Sequence, residues 1–284
     1  ELAVQLAVSV DGSTSSDSDG TVAGYSWDFG DGATATGATA SHTYTAGGTY
    51  PVTLTVTDNE GATATTTVSV KATEPLLTDT FTRTASGSWG TSDSGAVWTG
   101  SYGRGAQSVD GSAGVLTLSA PGASTAVTTG VLSEASTDAT MTLQVDRLAT
   151  GSGTYVAYVA RSTSAGRYQV TARFTSSGAV VLTALKHVNG ASDVSLGTAR
   201  LDATYTAGDV LHLRVQAEGT GPTELRVRAW TGDDEPTAWA IDATDDDTAL
   251  ADAGAVGVTA YRSSQGDADP VTVRLDDLVV RALD

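Results

Sequence analysis

Apolar side chains alternate with small or polar ones in short runs along nearly the whole chain. Val4, Leu6, Val8 and Val10 open the pattern. Tyr50, Val52, Leu54 and Val56 then alternate with Pro51, Thr53, Thr55 and Thr57. After the break at Asp58-Asn59-Glu60-Gly61, the alternation resumes at Ala64, Thr66, Val68 and Val70. A period of two residues puts successive side chains on opposite faces, so this stretch predicts a β-hairpin with one buried and one solvated face. Beyond residue 79 the same rhythm recurs over Thr154–Arg161, Arg167–Phe174, Ala179–Val188, Val210–Ala217 and Leu225–Trp230. Gly, Asp, Asn and Ser fill the breaks, as tight turns require. About a dozen strands in the second segment suit two packed sheets.

Composition supports the same reading. Hydrophobic residues make up 40% of the 284 residues, enough for a core, and 32 residues are glycine. Thr, Ser, Ala, Val and Gly dominate while good helix formers are scarce, so almost no helix is expected. The length suits two domains. Residues 1–72 form the first, 73–78 a short linker around Pro75, and 79–284 the second.

Charge narrows the partners. Thirty-three acidic and 15 basic residues leave a formal charge of −18, which repels duplex nucleic acid and anionic membrane surfaces. With no cysteine, disulfides, thiolate metal sites and cysteine nucleophiles are excluded. No apolar run reaches membrane-spanning length. The chain opens at Glu1 inside a strand-like segment and is expected to be part of a longer exported protein, extracellular or at the cell surface.

The first segment carries a dense set of motifs. They are Ser15-Ser16-Asp17-Ser18-Asp19-Gly20, Tyr25-Ser26-Trp27-Asp28-Phe29-Gly30-Asp31-Gly32, His42-Thr43-Tyr44, Gly48-Thr49-Tyr50 and Val56-Thr57-Asp58. Together these resemble the polycystic-kidney-disease (PKD) domain over nearly all of residues 1–71. The resemblance implies a small immunoglobulin-like sandwich, and calcium bound at Asp17 and Asp58. The second segment, with Asp79-Thr80-Phe81-Thr82-Arg83, Trp98, Arg228-Ala229-Trp230, Trp239 and Asp276-Asp277-Leu278, resembles concanavalin-A-like (laminin-G-like) jelly-rolls. That resemblance implies a lectin-like sandwich beside the PKD module.

Catalytic signatures are missing. No Glu-x-Asp-x-Glu pair, Gln-x-His, Gly-x-Ser-x-Gly or His-Glu-x-x-His occurs, and His42, His187 and His212 stand apart in the sequence. The chain is therefore read as a non-enzyme. Two chemistries remain. Calcium needs hard oxygen ligands gathered from turns. Besides Asp17 and Asp58, the expected first and last strands of the second domain bring Asp79 and Asp276 forward as metal ligands. Alternatively, these carboxylates cap turns and accept backbone N–H groups.

Arginine parity is the second lead. If Tyr168, Val170, Ala172 and Phe174 face the core, Arg167, Gln169 and Arg173 share the other face. The same logic places His212 and Arg214 outward on one strand, and Arg226, Arg228 and Trp230 outward on another. Guanidinium forks grip carboxylates and hydroxyls in plane, and aromatic rings stack on sugars. A platform for a polysaccharide or cell-surface glycan follows, acidic ones included, with Tyr261 and Arg262 as rim candidates. The competing reading pairs these arginines with acids such as Glu218 and Glu224 across strands.

Overall fold

The structure is a computed structural model describing residues 6–283. The expectation for Val4 lies outside the described residues. Among the described residues there is no helix, so none is long and apolar enough to cross a membrane. The chain divides into two compact units, residues 1–75 and 76–284.

The first unit has six strands: β1 (Leu6–Asp11), β2 (Val22–Asp28), β3 (Thr34–Thr36), β4 (Thr39–Tyr44), β5 (Gly48–Asp58) and β6 (Thr63–Ala72). Strands β1 and β4 make a two-stranded sheet, and β3-β2-β5-β6 a four-stranded one. Their small core is Leu6, Trp27, Phe29, Tyr44, Val52 and Leu54. The polar tips of the aromatics are satisfied, with the Trp27 indole N–H donating to Gly37 O (2.9 Å) and the Tyr44 hydroxyl to Phe29 O (2.9 Å). Gly30 shows why its motif needs glycine. Its φ is +78°, and a Cβ there would meet Pro51 Cδ at 2.7 Å. One expectation fails: the face of β6 expected to be buried is exposed at Ala64, Thr66 and Val68 (54%), and only Val70 is half-buried. The facing sheet has two strands only, and the core beneath gathers on β2 and β5.

The second unit holds β7 (Leu77–Asp79), β8 (Thr84–Ser86), β9 (Thr99–Tyr102), β10 (Gly105–Asp110), β11 (Gly114–Leu118), β12 (Ser124–Val131), β13 (Thr137–Val145) and β14 (Thr154–Ser162). It continues through β15 (Gly166–Phe174), β16 (Val180–Val188), β17 (Val194–Arg200), β18 (Leu211–Glu218), β19 (Thr223–Trp230), β20 (Ile241–Asp245), β21 (Ala255–Arg262) and β22 (Val271–Ala282). A nine-stranded sheet runs β20-β19-β18-β13-β22-β11-β10-β8, with β7 also on β22. A seven-stranded sheet runs β17-β16-β15-β14-β21-β12-β9. One continuous apolar core joins residues from both sheets, for example Met141, Leu213 and Val273 with Val156, Val170 and Val258. Residues 76–78, read from sequence as linker, belong to this unit. Leu76 N–H donates to Val280 O (2.7 Å), and Leu77 and Thr78 pair with β22.

Candidate functional site

The two sheets separate the residues that parity had grouped. Arg167, Arg173 and Tyr261 project from the seven-stranded sheet, on β15 and β21. Arg214, Arg226, Arg228 and Trp230 project from the nine-stranded sheet, on β18 and β19. Because the outer faces of a sandwich point in opposite directions, a single surface around Arg173, Arg214 and Arg228 does not exist.

On the nine-stranded sheet the arginines are already engaged. The Arg214 Nε and Nη2 donate to Asp138 (3.0 and 2.6 Å), and Nη1 to Glu235 (3.0 Å). Arg228 Nη1 also reaches Glu235 (2.8 Å) while its guanidinium lies 3.8 Å above the Trp239 ring. The segment after β19 thus folds back over this part of the sheet. Arg226 is held by Glu224 (2.5 Å), Glu218 (3.3 Å) and Asp242 (3.5 Å). Glu218 and Asp242 pair with it across strands and Glu224 along its own strand, the acid pairing that competed with the ligand reading. Arg262 is fully buried, bonding Asp267 Oδ1 (2.7 Å) and the carbonyls of Asp267 and Asp269. It fastens a loop and is not a rim ligand. Its parity with Val256, Val258 and Ala260 already marked it as inward-facing.

The proposed metal ligands do not assemble either. Asp79 is fully buried and accepts from both Arg83 Nη atoms (2.6 and 2.8 Å), from Trp98 Nε1 (2.7 Å) and from the Phe81 N–H (3.0 Å). Those four bonds use the whole acceptor capacity of a carboxylate. Asp58 Oδ1 closes its own hairpin by accepting the N–H groups of Glu60 (2.8 Å) and Ala62 (2.9 Å). Among the described residues, no three His, Cys, Asp or Glu side chains gather where they could hold a metal ion, Asp17, Asp58, Asp79 and Asp276 included.

What the nine-stranded sheet does offer is a groove of about 680 Å³ at its other end. Thr142 and Gln144 of β13, His212 of β18, and Arg274 and Asp276 of β22 form its floor. Turns carrying Ser112, Asp209 and Asp233 rise around it. Register aligns Trp230, His212, Thr142 and Asp276 in one row across β19, β18, β13 and β22. His212 lines the groove and its ring stacks on Trp230 at 5.2 Å and 12°; the Trp230 indole N–H is buried without a partner. Arg274 is oriented by Asp110 (2.5 Å) and the Ser112 hydroxyl (2.9 Å).

A β-bulge completes the groove. The β13–β22 register slips by one residue between Thr140 and Thr142, and Asp277 adopts φ +52°. In a regular strand Asp276 and Asp277 would face opposite sides; here both line the groove. Burial pushes the Asp276 carboxyl up to about 6; the Asp277 N–H bond to Asp276 Oδ1 (2.8 Å) opposes that shift, and the Asp277 charge adds to it. Sequence parity did not place Asp277 here, because a bulge carries no periodic signal.

The Asp276 shift has a consequence for stability. Its folded value lies above the ordinary 3.8, so the folded state holds the proton more tightly. This contribution is present below about pH 4 and is lost as pH rises toward 6. Asp276→Asn is expected to melt above the parent at pH 7 and to match it near pH 4. Paired thermal melts across this range check it, and an unchanged difference between the two proteins would contradict the assignment.

Taken together, fold and site define a class: a small immunoglobulin-like sandwich followed by a larger jelly-roll sandwich with an open polar groove on one outer sheet. Residues 1–72 match the PKD domain family model, and this part of the chain is a PKD domain. It is 44% identical to the PKD1 domain of Vibrio anguillarum Epp, over 25% of this chain and 82% of that one, with a TM-score of 0.24. The carbohydrate-binding module CBM66 from Bacillus subtilis is similar at 16% identity and a TM-score of 0.43, covering 65% of this chain and 95% of that one. A chain from work on endo-acting O-glycanases of the human gut microbiota aligns over 74% of this chain and 100% of its own, at 13% identity and a TM-score of 0.52. That likeness shows the fold alone. Among curated proteins none matches the chain.

Proposed function

We propose that the second unit is a non-catalytic carbohydrate-binding module of an extracellular or cell-surface protein, with the PKD domain as spacer. The observation that carries this reading is the groove's mixture of fixed donors and acceptors beside a flat ring stack. A sugar hydroxyl both donates and accepts. Gln144 and Arg274 supply donors, while Asp209, Asp233 and Asp277 supply acceptors, all around one open depression. The His212 ring, held by stacking on Trp230, gives the groove a flat face of the kind on which sugar rings rest. The groove is open and shallow, which suits binding a chain without enclosing a reacting bond.

The test uses the full chain in affinity electrophoresis against neutral polysaccharides, with His212→Ala and Asp233→Asn as variants. The parent is expected to be retarded on at least one gel, with each variant weakened at least tenfold. Retardation on none, or variants equal to the parent, would leave the unit as a structural element of an adhesin, fibre or stalk.

A further inference from the structure

The second outer face of the same unit goes beyond that reading. There, side-chain size is sorted into rows running across the strands. Ala126, Thr259, Ala157, Thr171, Thr183 and Thr198 are register partners across β12, β21, β14, β15, β16 and β17. All six side chains are small. The row on one side is Ser124, Tyr261, Tyr155, Arg173, Val181 and Arg200, and the row on the other is Gly257, Val159, Gln169, Leu185 and Ser195. Over β21, β14, β15 and β16 the small row lies lower than Tyr261, Tyr155 and Arg173 on one side and Gln169 and Leu185 on the other, which makes a trough perpendicular to the strands. Ala157 (4% exposed) and Thr171 (9%) lie deep in it although they point away from the core. The depression, open to solvent, measures about 260 Å³. Five inter-strand steps make the row about 24 Å long.

Electrostatics sets this face apart. Arg214, Arg226 and Arg228 on the opposite sheet are each neutralised by carboxylates. Among the described residues Arg173 forms no ion pair, and no Asp or Glu lines the trough, in a chain of net charge −18. Arg167 lies further along the same strand, its Nε donating to Gln169 Oε1 (2.7 Å). The Tyr155 and Tyr261 rings sit 5.7 Å apart at 47°, beside Arg173 in one row. The Tyr155 hydroxyl is held below its ordinary value, first by a hydrogen bond with Ser152 and then by Arg173 beside it. A guanidinium fork that shares a hydrogen bond with the Tyr155 hydroxyl but has no carboxylate partner suits a planar anion, and the adjoining rings and hydroxyl-lined floor suit sugar rings and sugar hydroxyls.

We infer that this trough is a second binding site, distinct from the groove, for a linear glycan whose sugars carry carboxylates. Arg173 grips a carboxylate in plane, Tyr155 and Tyr261 pack against sugar rings, and the threonine floor meets hydroxyl groups. An acidic peptide offers the same charge without the rings that the tyrosine pair and threonine row accommodate. With a site on each outer face, one module holds two chains at once.

The full chain is tested by affinity electrophoresis on polygalacturonate, alginate and polysialic acid, with fully methyl-esterified polygalacturonate and poly-glutamate as controls. Variants are Arg173→Ala, Arg173→Lys, Tyr261→Ala and the groove variant His212→Ala, each checked for an unchanged melting temperature. At least one acidic glycan is expected to retard the parent, more weakly at high salt. Arg173→Ala and Tyr261→Ala should lose at least tenfold, Arg173→Lys should recover only part, and His212→Ala should bind as the parent does. Methyl esterification should abolish retardation of a protein that polygalacturonate retards. Absence of retardation on all three glycans, Arg173→Ala equal to the parent, or poly-glutamate held as tightly as the glycans overturns the proposal. Loss in His212→Ala alone would assign acidic-glycan binding to the groove, overturning the trough and sparing the other reading.

Discussion

Arg161→Ala is expected to destabilise the second unit by about 3–5 kcal/mol, the scale of stripping a buried, fully bonded charge from its site. The Arg161 side chain is 1% exposed and has no carboxylate partner. Its charge is spread instead over backbone carbonyls: Ala135 O (3.1 and 2.7 Å), Leu250 O (2.9 Å) and Gly219 O (2.8 Å). The Thr223 hydroxyl accepts a further bond at 3.2 Å, and the Tyr168 ring lies 5.6 Å from the guanidinium carbon. Three connecting segments are therefore fastened by one side chain. Burial lowers its pKa, partly opposed by Tyr168, so the site holds the cation at a cost that only these acceptors offset. Alanine leaves three carbonyls facing a void, each costing about 1–3 kcal/mol if water cannot reach it. Lysine restores the charge but not the planar fork and should recover less than half of the loss. Urea unfolding of parent and variants measures this, and a loss below about 1 kcal/mol would show that the loops close without the arginine.

A comparable loss is expected for Asp79→Ala. Removing the carboxylate leaves the buried Trp98 N–H without an acceptor and the Arg83 guanidinium with the Trp89 carbonyl alone, about 3–5 kcal/mol at most. The turn it organises is demanding, since Phe81 sits at φ +51° and is fully buried against Trp89, ring centroids 5.0 Å apart. Asp79→Asn keeps the volume yet turns one acceptor oxygen into a donor facing another donor, so it should rescue little. The same geometry predicts that neither added calcium nor a chelator shifts the melting of the second unit. A calcium-dependent shift that disappears in Asp79→Asn would reinstate the metal.

Much of the framework was legible along the chain. Five of the six strands from Thr154 to Trp230 were found within a residue or two, because each buries one face in the common core; β17 was missed, since none of its residues is fully buried and its alternation is weak. Trp27, Phe29 and Gly30 announced the first unit because aromatic packing and a left-handed backbone tolerate few substitutes. The outward parity of Arg173 and Arg228 was also correct. What parity leaves open is which strands are neighbours. β15 and β18 lie in different sheets, so two correctly oriented arginines ended on opposite faces. Whether an outward arginine is free was equally out of reach. Glu235 and Trp239 reach Arg228 only because the segment after β19 folds back over the sheet.

Bulges account for the deepest difference. Arg161 has the outward parity of Val159, yet a register slip after Val159 turns it into the interior, where it becomes a hub. A second slip at Asp277 brings two consecutive carboxylates to one groove. The amino-acid sequence by itself determined two all-β units, their strands and the side of each strand that meets the core, since hydrophobic burial acts residue by residue with period two. Only the tertiary structure decided which strands adjoin, which charges neutralise one another and where the period breaks. Those depend on contacts between segments distant in the chain, and no local pattern encodes them.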